Sequence, residues 1–256
     1  MTLNQNDDFY IAEKAFKSRL IVEITGFDQT MLTNLLNASQ SEIVTHTQIQ
    51  SLDKPKSKDG LHCENVPNHI TYIPNTHGCK TADEAVALAR LIRKAGLSDW
   101  IKLEVSPYNT HYMSDGVETL KAADILVKEG FKVLPYIHAD PVLAKRLQEV
   151  GCSTVMPLGS PIGSGKGLIT KEFIEMIIEE ANVPVIVDAG IGKPSHATEA
   201  MQIGADAVIV HTAIIYAENP ILQAQAFKTA VQAGRASFLA KGDYSKYKEN
   251  NPKIST

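Results

Sequence analysis

A chain of 256 residues, 44% of them hydrophobic, can bury a sizeable core in one large domain, a length common among α/β barrels. Its net charge of −4 lacks the basic footprint of a nucleic-acid binder, and the run Lys54, Lys56, Lys58 is flanked by Asp53 and Asp59 and reads as a solvated loop. Three cysteines, Cys63, Cys79 and Cys152, form no C-x-x-C pair, which argues against a disulfide framework or zinc knuckle and for a reducing compartment.

The stretch from Met1 to Asp8 is polar, with neither a basic n-region nor an apolar h-region, so no signal peptide is expected. No apolar run approaches the roughly 20 residues of a membrane span. These features predict a cytoplasmic protein with neither nucleic acid nor membrane as partner.

Short apolar runs then alternate with helical patterns. Residues 20–25 and 42–47 are the first two expected strands. Residues 48–67 show no helical period and read as a long loop, mobile or functional. A third strand is expected at 70–74, followed by a helix that Thr81 caps and Gly96 ends. The fourth strand, 100–105, leads to a helix over 114–129 that stops at Gly130. After the fifth strand, 132–137, Asp140 and Pro141 start a helix that runs to Gly151. Strands at 153–157, 184–188 and 207–211 are followed by helices at 170–181, 195–203 and 220–233. Residues 243–256 form a polar tail with the composition of a disordered segment.

Runs such as Val185-Ile186-Val187 and Val208-Ile209-Val210 are apolar throughout, as in strands covered on both faces. Eight such strands alternating with helices predict a (β/α)8 TIM barrel in a single domain, with a doubly wound open sheet as the alternative. The expected division is an N-terminal segment 1–15, a catalytic barrel 16–240 and a tail 241–256.

Side chains alternate along a strand, so Ile101, Leu103 and Val105 share one face, and Lys102 and Glu104 share the other. In a barrel the apolar face packs on the helices, which turns Lys102 and Glu104 into the lumen. A lysine beside a carboxylate suits imine chemistry if enough free amine is available. Burial lowers a lysine pKa and a neighbouring carboxylate raises it, so the net sign is open at this level. A lumenal salt bridge is the structural alternative. Asp188 ends an apolar strand, where a carboxylate is costly unless used or paired, and is a candidate acid or base.

Barrel active sites lie at the C-terminal strand ends. There the chain places the glycine run 163–167, the run Asp188-Ala189-Gly190-Ile191-Gly192 and His211-Thr212. Tight glycine turns and helix N-termini present amides that can cradle a phosphate. The 163–167 run is not a P-loop: Ser160 stands where the first glycine belongs, and Gly167 replaces the Ser or Thr. His46, His138 and His211 fall at strand ends, but no H-x-x-x-H or H-E-x-x-H spacing exists, so no metal site is expected. Cys79 can either face the site or be a buried spectator.

Several long segments together resemble the thiazole synthase family, whose members form the thiazole phosphate of thiamine. They include Asn75-Thr76-His77-Gly78-Cys79-Lys80-Thr81-Ala82-Asp83-Glu84, Trp100-Ile101-Lys102-Leu103-Glu104-Val105, Leu134-Pro135-Tyr136-Ile137-His138, Met156-Pro157-Leu158-Gly159-Ser160-Pro161-Ile162-Gly163-Ser164-Gly165 and Val187-Asp188-Ala189-Gly190-Ile191-Gly192. The resemblance implies that Lys102 forms an imine with 1-deoxyxylulose 5-phosphate and that Glu104 and Asp188 move protons. It implies a sugar-phosphate site around Gly163, Ala189, Gly190, His211 and Thr212. It further implies no cofactor, dehydroglycine as the nitrogen source, a small sulfur-carrier protein bearing a C-terminal thiocarboxylate, and a homo-oligomer.

The chain departs from the family pattern at three places. The turn Thr25-Gly26-Phe27-Asp28 replaces a T-G-K-Y-like turn, the second strand lacks the usual arginine pair, and His211 replaces an asparagine. These departures leave two further readings: a paralogue making another sulfur-containing product, such as a thiosugar, and a non-catalytic barrel that docks a sulfur carrier.

Overall fold

The computed structural model describes residues 7–47, 66–108 and 110–242. Its first element is a short antiparallel hairpin, β1 (Phe9–Ile11) and β2 (Lys14–Phe16). Eight parallel strands follow: β3 (Leu20–Glu23), β4 (Ile43–Thr47), β5 (Thr71–Asn75), β6 (Trp100–Leu103), β7 (Lys132–Ile137), β8 (Met156–Pro157), β9 (Ile186–Val187) and β10 (Ala207–Val210). They run in the order β8-β7-β6-β5-β4-β3-β10-β9, and a parallel bridge between Val155 and Val185 joins the two ends of that sheet. The sheet is therefore closed, as the strand–helix alternation predicts, and the open-sheet alternative is excluded.

The helices among the described residues are α1 (Gln29–Ser39), α2 (Ala82–Lys94), α3 (Gly116–Lys128), α4 (Pro141–Glu149), α5 (Lys171–Glu180), α6 (Pro194–Gln202), α7 (Thr212–Ile215) and α8 (Pro220–Ala240). None of them is long and apolar enough to cross a membrane. Their inner stripes pack on the outward residues of the strands. Ile101, Leu103 and Val105 share one outer cluster with Ala85, Ala89, Ala122 and Leu126 of α2 and α3. Leu20, Val22, Val208 and Val210 share another with Leu32, Leu35, Ala200 and Phe227 of α1, α6 and α8.

Several elements lie outside the sequence expectation or differ from it. The hairpin strands have three residues each, too few to show a period. Helix α1 carries no acid in its first turn and no base in its last, so the usual charge signals are missing; Asp28 caps it through the Met31 amide at 2.7 Å. Strands β8 and β9 are shorter than expected, with Val155 and Val185 joined only by an isolated bridge. The loop expectation for 48–67 falls mainly on residues outside those described. At its end, Val66 and Ile70 are buried in the outer core. The tail from 243 also lies outside the described residues.

The lumen has two halves. Toward the N-terminal end of the strands it is apolar: Ile21, Ile43, Ile73, Leu134, Met156, Ile186 and Ile209 meet Phe9, Ile11 and Phe16 of the hairpin. The hairpin thus plugs the bottom of the barrel. One alternation further along the strands the inward residues become Glu23, Asn75, Lys102 and Asp188, all buried.

Candidate active site

The alternation of β6 puts Lys102 inside the barrel, and Glu104 continues it just past the strand end. Lys102, Glu104 and Asp188 are only 5%, 3% and 6% exposed. The Lys102 Nζ lies 3.0 Å from Glu104 Oε1 and 2.8 Å from Asp188 Oδ2. The contact with Asp188 is short but lacks the alignment of a hydrogen bond, so it acts as an ion pair. Tyr136 lies alongside, with the Lys102 Nζ 5.8 Å from its ring centre and its own hydroxyl buried without a hydrogen-bond partner among the described residues.

These charges are coupled. Burial pulls the Lys102 pKa down, but Asp188, Glu104 and Glu23 together push it well above its ordinary value. In the free protein Lys102 is therefore an ammonium, which settles the sign that the sequence leaves open. Burial alone would raise Glu104; Lys102 and the His77 hydrogen bond overcome it and hold the carboxyl down at about 2. Asp188 goes the other way. Burial, with Glu104 and Glu23 nearby, pushes it up to about 6 from an ordinary 3.8, against the attraction of Lys102.

A second layer of contacts fixes the first. Glu104 Oε2 accepts from His77 Nδ1 at 2.7 Å; an ionised carboxylate only accepts, which places the proton on Nδ1. The Thr76 hydroxyl ties the Glu104 backbone from both sides, donating to its carbonyl at 2.7 Å and accepting from its amide at 2.8 Å. Glu23 is held by Asn75 Nδ2 and the Thr45 hydroxyl, each at 3.0 Å, and by the Thr25 amide at 2.9 Å. The hydroxyls of β4, from Thr45 and Thr47, thus hold Glu23 and Asn75 in place. His46 points outward instead, with its Nδ1 3.0 Å from the Tyr72 hydroxyl.

All eight residues expected at the site, Lys102, Glu104, Asp188, Gly163, Ala189, Gly190, His211 and Thr212, line one cavity of about 380 Å³ at the C-terminal end of the barrel. The glycine loops build its wall by close backbone packing. A Cβ on Gly190, at φ +93°, would sit 2.0 Å from the Ser160 Oγ, and one on Gly192 would sit 2.5 Å from the Gly165 Cα. The amides of Gly163, Gly190, Thr212 and Ala213 make no backbone hydrogen bond among the described residues. They are thus available to an anion.

His211 has a different local duty from a simple anion ligand. Its Nε2 donates to the Thr25 carbonyl at 2.9 Å, and its ring meets Phe27 edge-on at 6.5 Å. Two departures from the family pattern, the Thr25–Phe27 turn and His211, are therefore in mutual contact. Cys79 is buried in an outer cluster, and burial pushes its thiol up to about 12; it belongs to the core.

Glu23, Asn75, His77 and Tyr112 also line the cavity and were not picked out by sequence reasoning. A lone glutamate in the apolar run Leu20-Ile21-Val22-Glu23-Ile24, on the same face as Ile21, was the available signal for the first.

Comparisons with known proteins identify the family of the chain. The family model described as "Thiazole biosynthesis protein ThiG" matches residues 10–252. The chain belongs to that family. It is 52% identical over 235 residues to thiazole synthase 1 of Syntrophotalea carbinolica, covering 91% of each chain. It is 49% identical over 231 residues to the thiazole synthase of Photorhabdus laumondii subsp. laumondii, covering 90% of each. Among solved structures it is similar to the Amycolatopsis orientalis BexX/CysO complex, at 30% identity and a TM-score of 0.83, covering 92% of this chain and 96% of the other. The chain is an enzyme of the thiazole-forming family, and neither the thiosugar reading nor the non-catalytic reading is favoured by these relatives.

Proposed function

We propose that this thiazole synthase joins 1-deoxyxylulose 5-phosphate, dehydroglycine and the sulfur of a carrier thiocarboxylate into thiazole phosphate through an imine on Lys102. The observation that carries this reading is the buried triad, in which one ammonium sits between two carboxylates of opposite pKa displacement.

The ammonium must lose a proton before it can attack. Asp188 is the acceptor, because its carboxyl has the higher proton affinity of the two. The free amine of Lys102 then adds to the ketone carbon, and the carbinolamine loses water to give a protonated imine. Glu104, still ionised, takes the proton from the carbon next to the imine and leaves an enamine. Tautomerisation along the sugar brings the carbonyl character to the carbon that accepts sulfur. The phosphate rests on the free amides around Gly163, Gly190 and Thr212, beside Ala189 and His211.

A carrier protein fits two facts: the family membership, and the likeness to a structure in which BexX is complexed with a second protein, CysO. The carrier docks at the open C-terminal end, and the enzyme works as a homo-oligomer.

Borohydride trapping tests the imine. Incubation with 1-deoxyxylulose 5-phosphate and borohydride gives a stable adduct that mass spectrometry places on Lys102, and Lys102→Ala gives none. An adduct elsewhere, or one undiminished in the variant, overturns the reading.

A further inference from the structure

Glu104 and Asp188 flank the same ammonium at nearly equal distances, 3.0 and 2.8 Å, and both are buried. Their distances from Lys102 do not distinguish them. The neighbourhoods beyond Lys102 do. Glu104 receives an N–H from His77 at 2.7 Å, while Asp188 Oδ2 makes no hydrogen bond in the described residues.

His77 is itself held from two sides. Its amide donates to Asn75 Oδ1 at 3.1 Å, and its ring lies against the ring of Tyr112, 4.8 Å between centroids at 39°. Tyr112 is kept there by a backbone φ of +49°, a conformation that non-glycine residues adopt rarely. Both rings line the cavity. The groups around His77 are Glu104 and Lys102 from the β6 end, Glu23 from β3, and Tyr112 from the loop after β6.

We propose that His77 is a positioning residue that assigns the two carboxylates beside Lys102 to different proton transfers, keeping Glu104 as the carbon base and leaving Asp188 to take the lysine proton. This rests on the imine reading above and deepens it. The charges agree with the geometry: the Glu104 hydrogen bond raises His77 above its ordinary value, while burial and Lys102 oppose it. The N–H that His77 presents favours the ionised form of Glu104 alone. Without His77, the two carboxylates compete for the lysine proton, and Glu104 spends more of the cycle protonated, unable to act on carbon.

Two readouts separate the two transfers. Borohydride trapping with 1-deoxyxylulose 5-phosphate reports imine formation. Deuterium uptake from D₂O into the carbon next to the imine reports the action of Glu104. In His77→Ala, deuterium uptake is expected to fall about 10- to 100-fold, the size of a lost hydrogen bond to a charged group. The trapped fraction stays within about threefold of the parent, because Lys102 and Asp188 remain. His77→Gln, whose amide can still donate to Glu104, recovers part of the uptake. Unchanged uptake in His77→Ala overturns the proposal. So does an equal fall of uptake and trapping in both variants with circular dichroism unchanged, since that is general damage to the site. Absence of trapping in the parent protein overturns the imine reading instead.

Discussion

The two halves of the barrel lumen are separated by a single alternation of the strands. Ile21 precedes Glu23, Ile73 precedes Asn75, Trp100 precedes Lys102 and Ile186 precedes Asp188, each pair two residues apart on one face. The lower residue of each pair packs against the hairpin, and the upper one faces the cavity. The lower half gains free energy by removing apolar surface from water. The upper half buries charges, which costs free energy unless they are paired. The difference teaches that the fold supports its chemistry from directly beneath: an apolar layer that holds the strands in place carries a charged layer that would not hold itself.

The largest expected effect comes from disturbing the upper half. Asp188→Asn removes the proposed acceptor of the lysine proton, and the rate of borohydride trapping should fall about 10²- to 10⁴-fold, the usual range for a general base. The pH profile sharpens the assignment. Asp188 accepts a proton only when ionised, so the trapping rate of the parent should fall as pH drops through about 6. Asp188→Asn should lack that acid limb. The same group has a stability signature of known sign. Its folded value, about 6, lies above the ordinary 3.8, so the folded state binds the proton more readily and Asp188 subtracts stability as pH rises between those values. Glu104 has the opposite sign: held down at about 2 from 4.5, it contributes stability above 4.5 that is lost as pH falls toward 2.

Disturbing the lower half should act on folding and leave the charges intact. Ile186→Ala deletes a fully buried side chain against the hairpin cluster and should cost about 2–5 kcal/mol. Urea unfolding would show this as a lower midpoint at unchanged slope. An unchanged midpoint would mean that the lower layer is not the support described above. The smallest effect is expected outside both layers. Lys128 and Asp124 pair at 2.6 Å on the surface of α3, with side chains 72% and 41% exposed. Lys128→Ala should change stability by less than about 0.5 kcal/mol in the same assay, in contrast to the buried pairs.

Much of this arrangement is legible in the chain, for identifiable reasons. The apolar face Ile101, Leu103, Val105 and the polar face Lys102, Glu104 lie where the alternation puts them, because burial on both sides of the sheet makes register unforgiving. The glycine loops at 163 and 190 are visible because both glycines have a positive φ, and at Gly190 a Cβ would also strike Ser160. Other features depend on distant partners. Glu23 and Asn75 are 52 positions apart and meet only when the barrel closes. His77 lies in a turn, and its link to Glu104 spans 27 positions. The ammonium state of Lys102 is decided by a contest between burial and three carboxylates from three strands, which no local pattern encodes. The hairpin is too short to announce itself, although Phe9, Ile11 and Phe16 are all buried.

That hairpin also shapes traffic. With Phe9, Ile11 and Phe16 stoppering one end of the barrel, whatever reaches Lys102 arrives through the mouth by which it must leave. Under the proposed function, a small sugar and a bulky sulfur donor share one doorway. On that reading a donor seated there would shut the sugar in, so that the sugar enters first and the product departs after the spent donor. The proposed order of events would then be set by a few apolar side chains at the far end of the lumen.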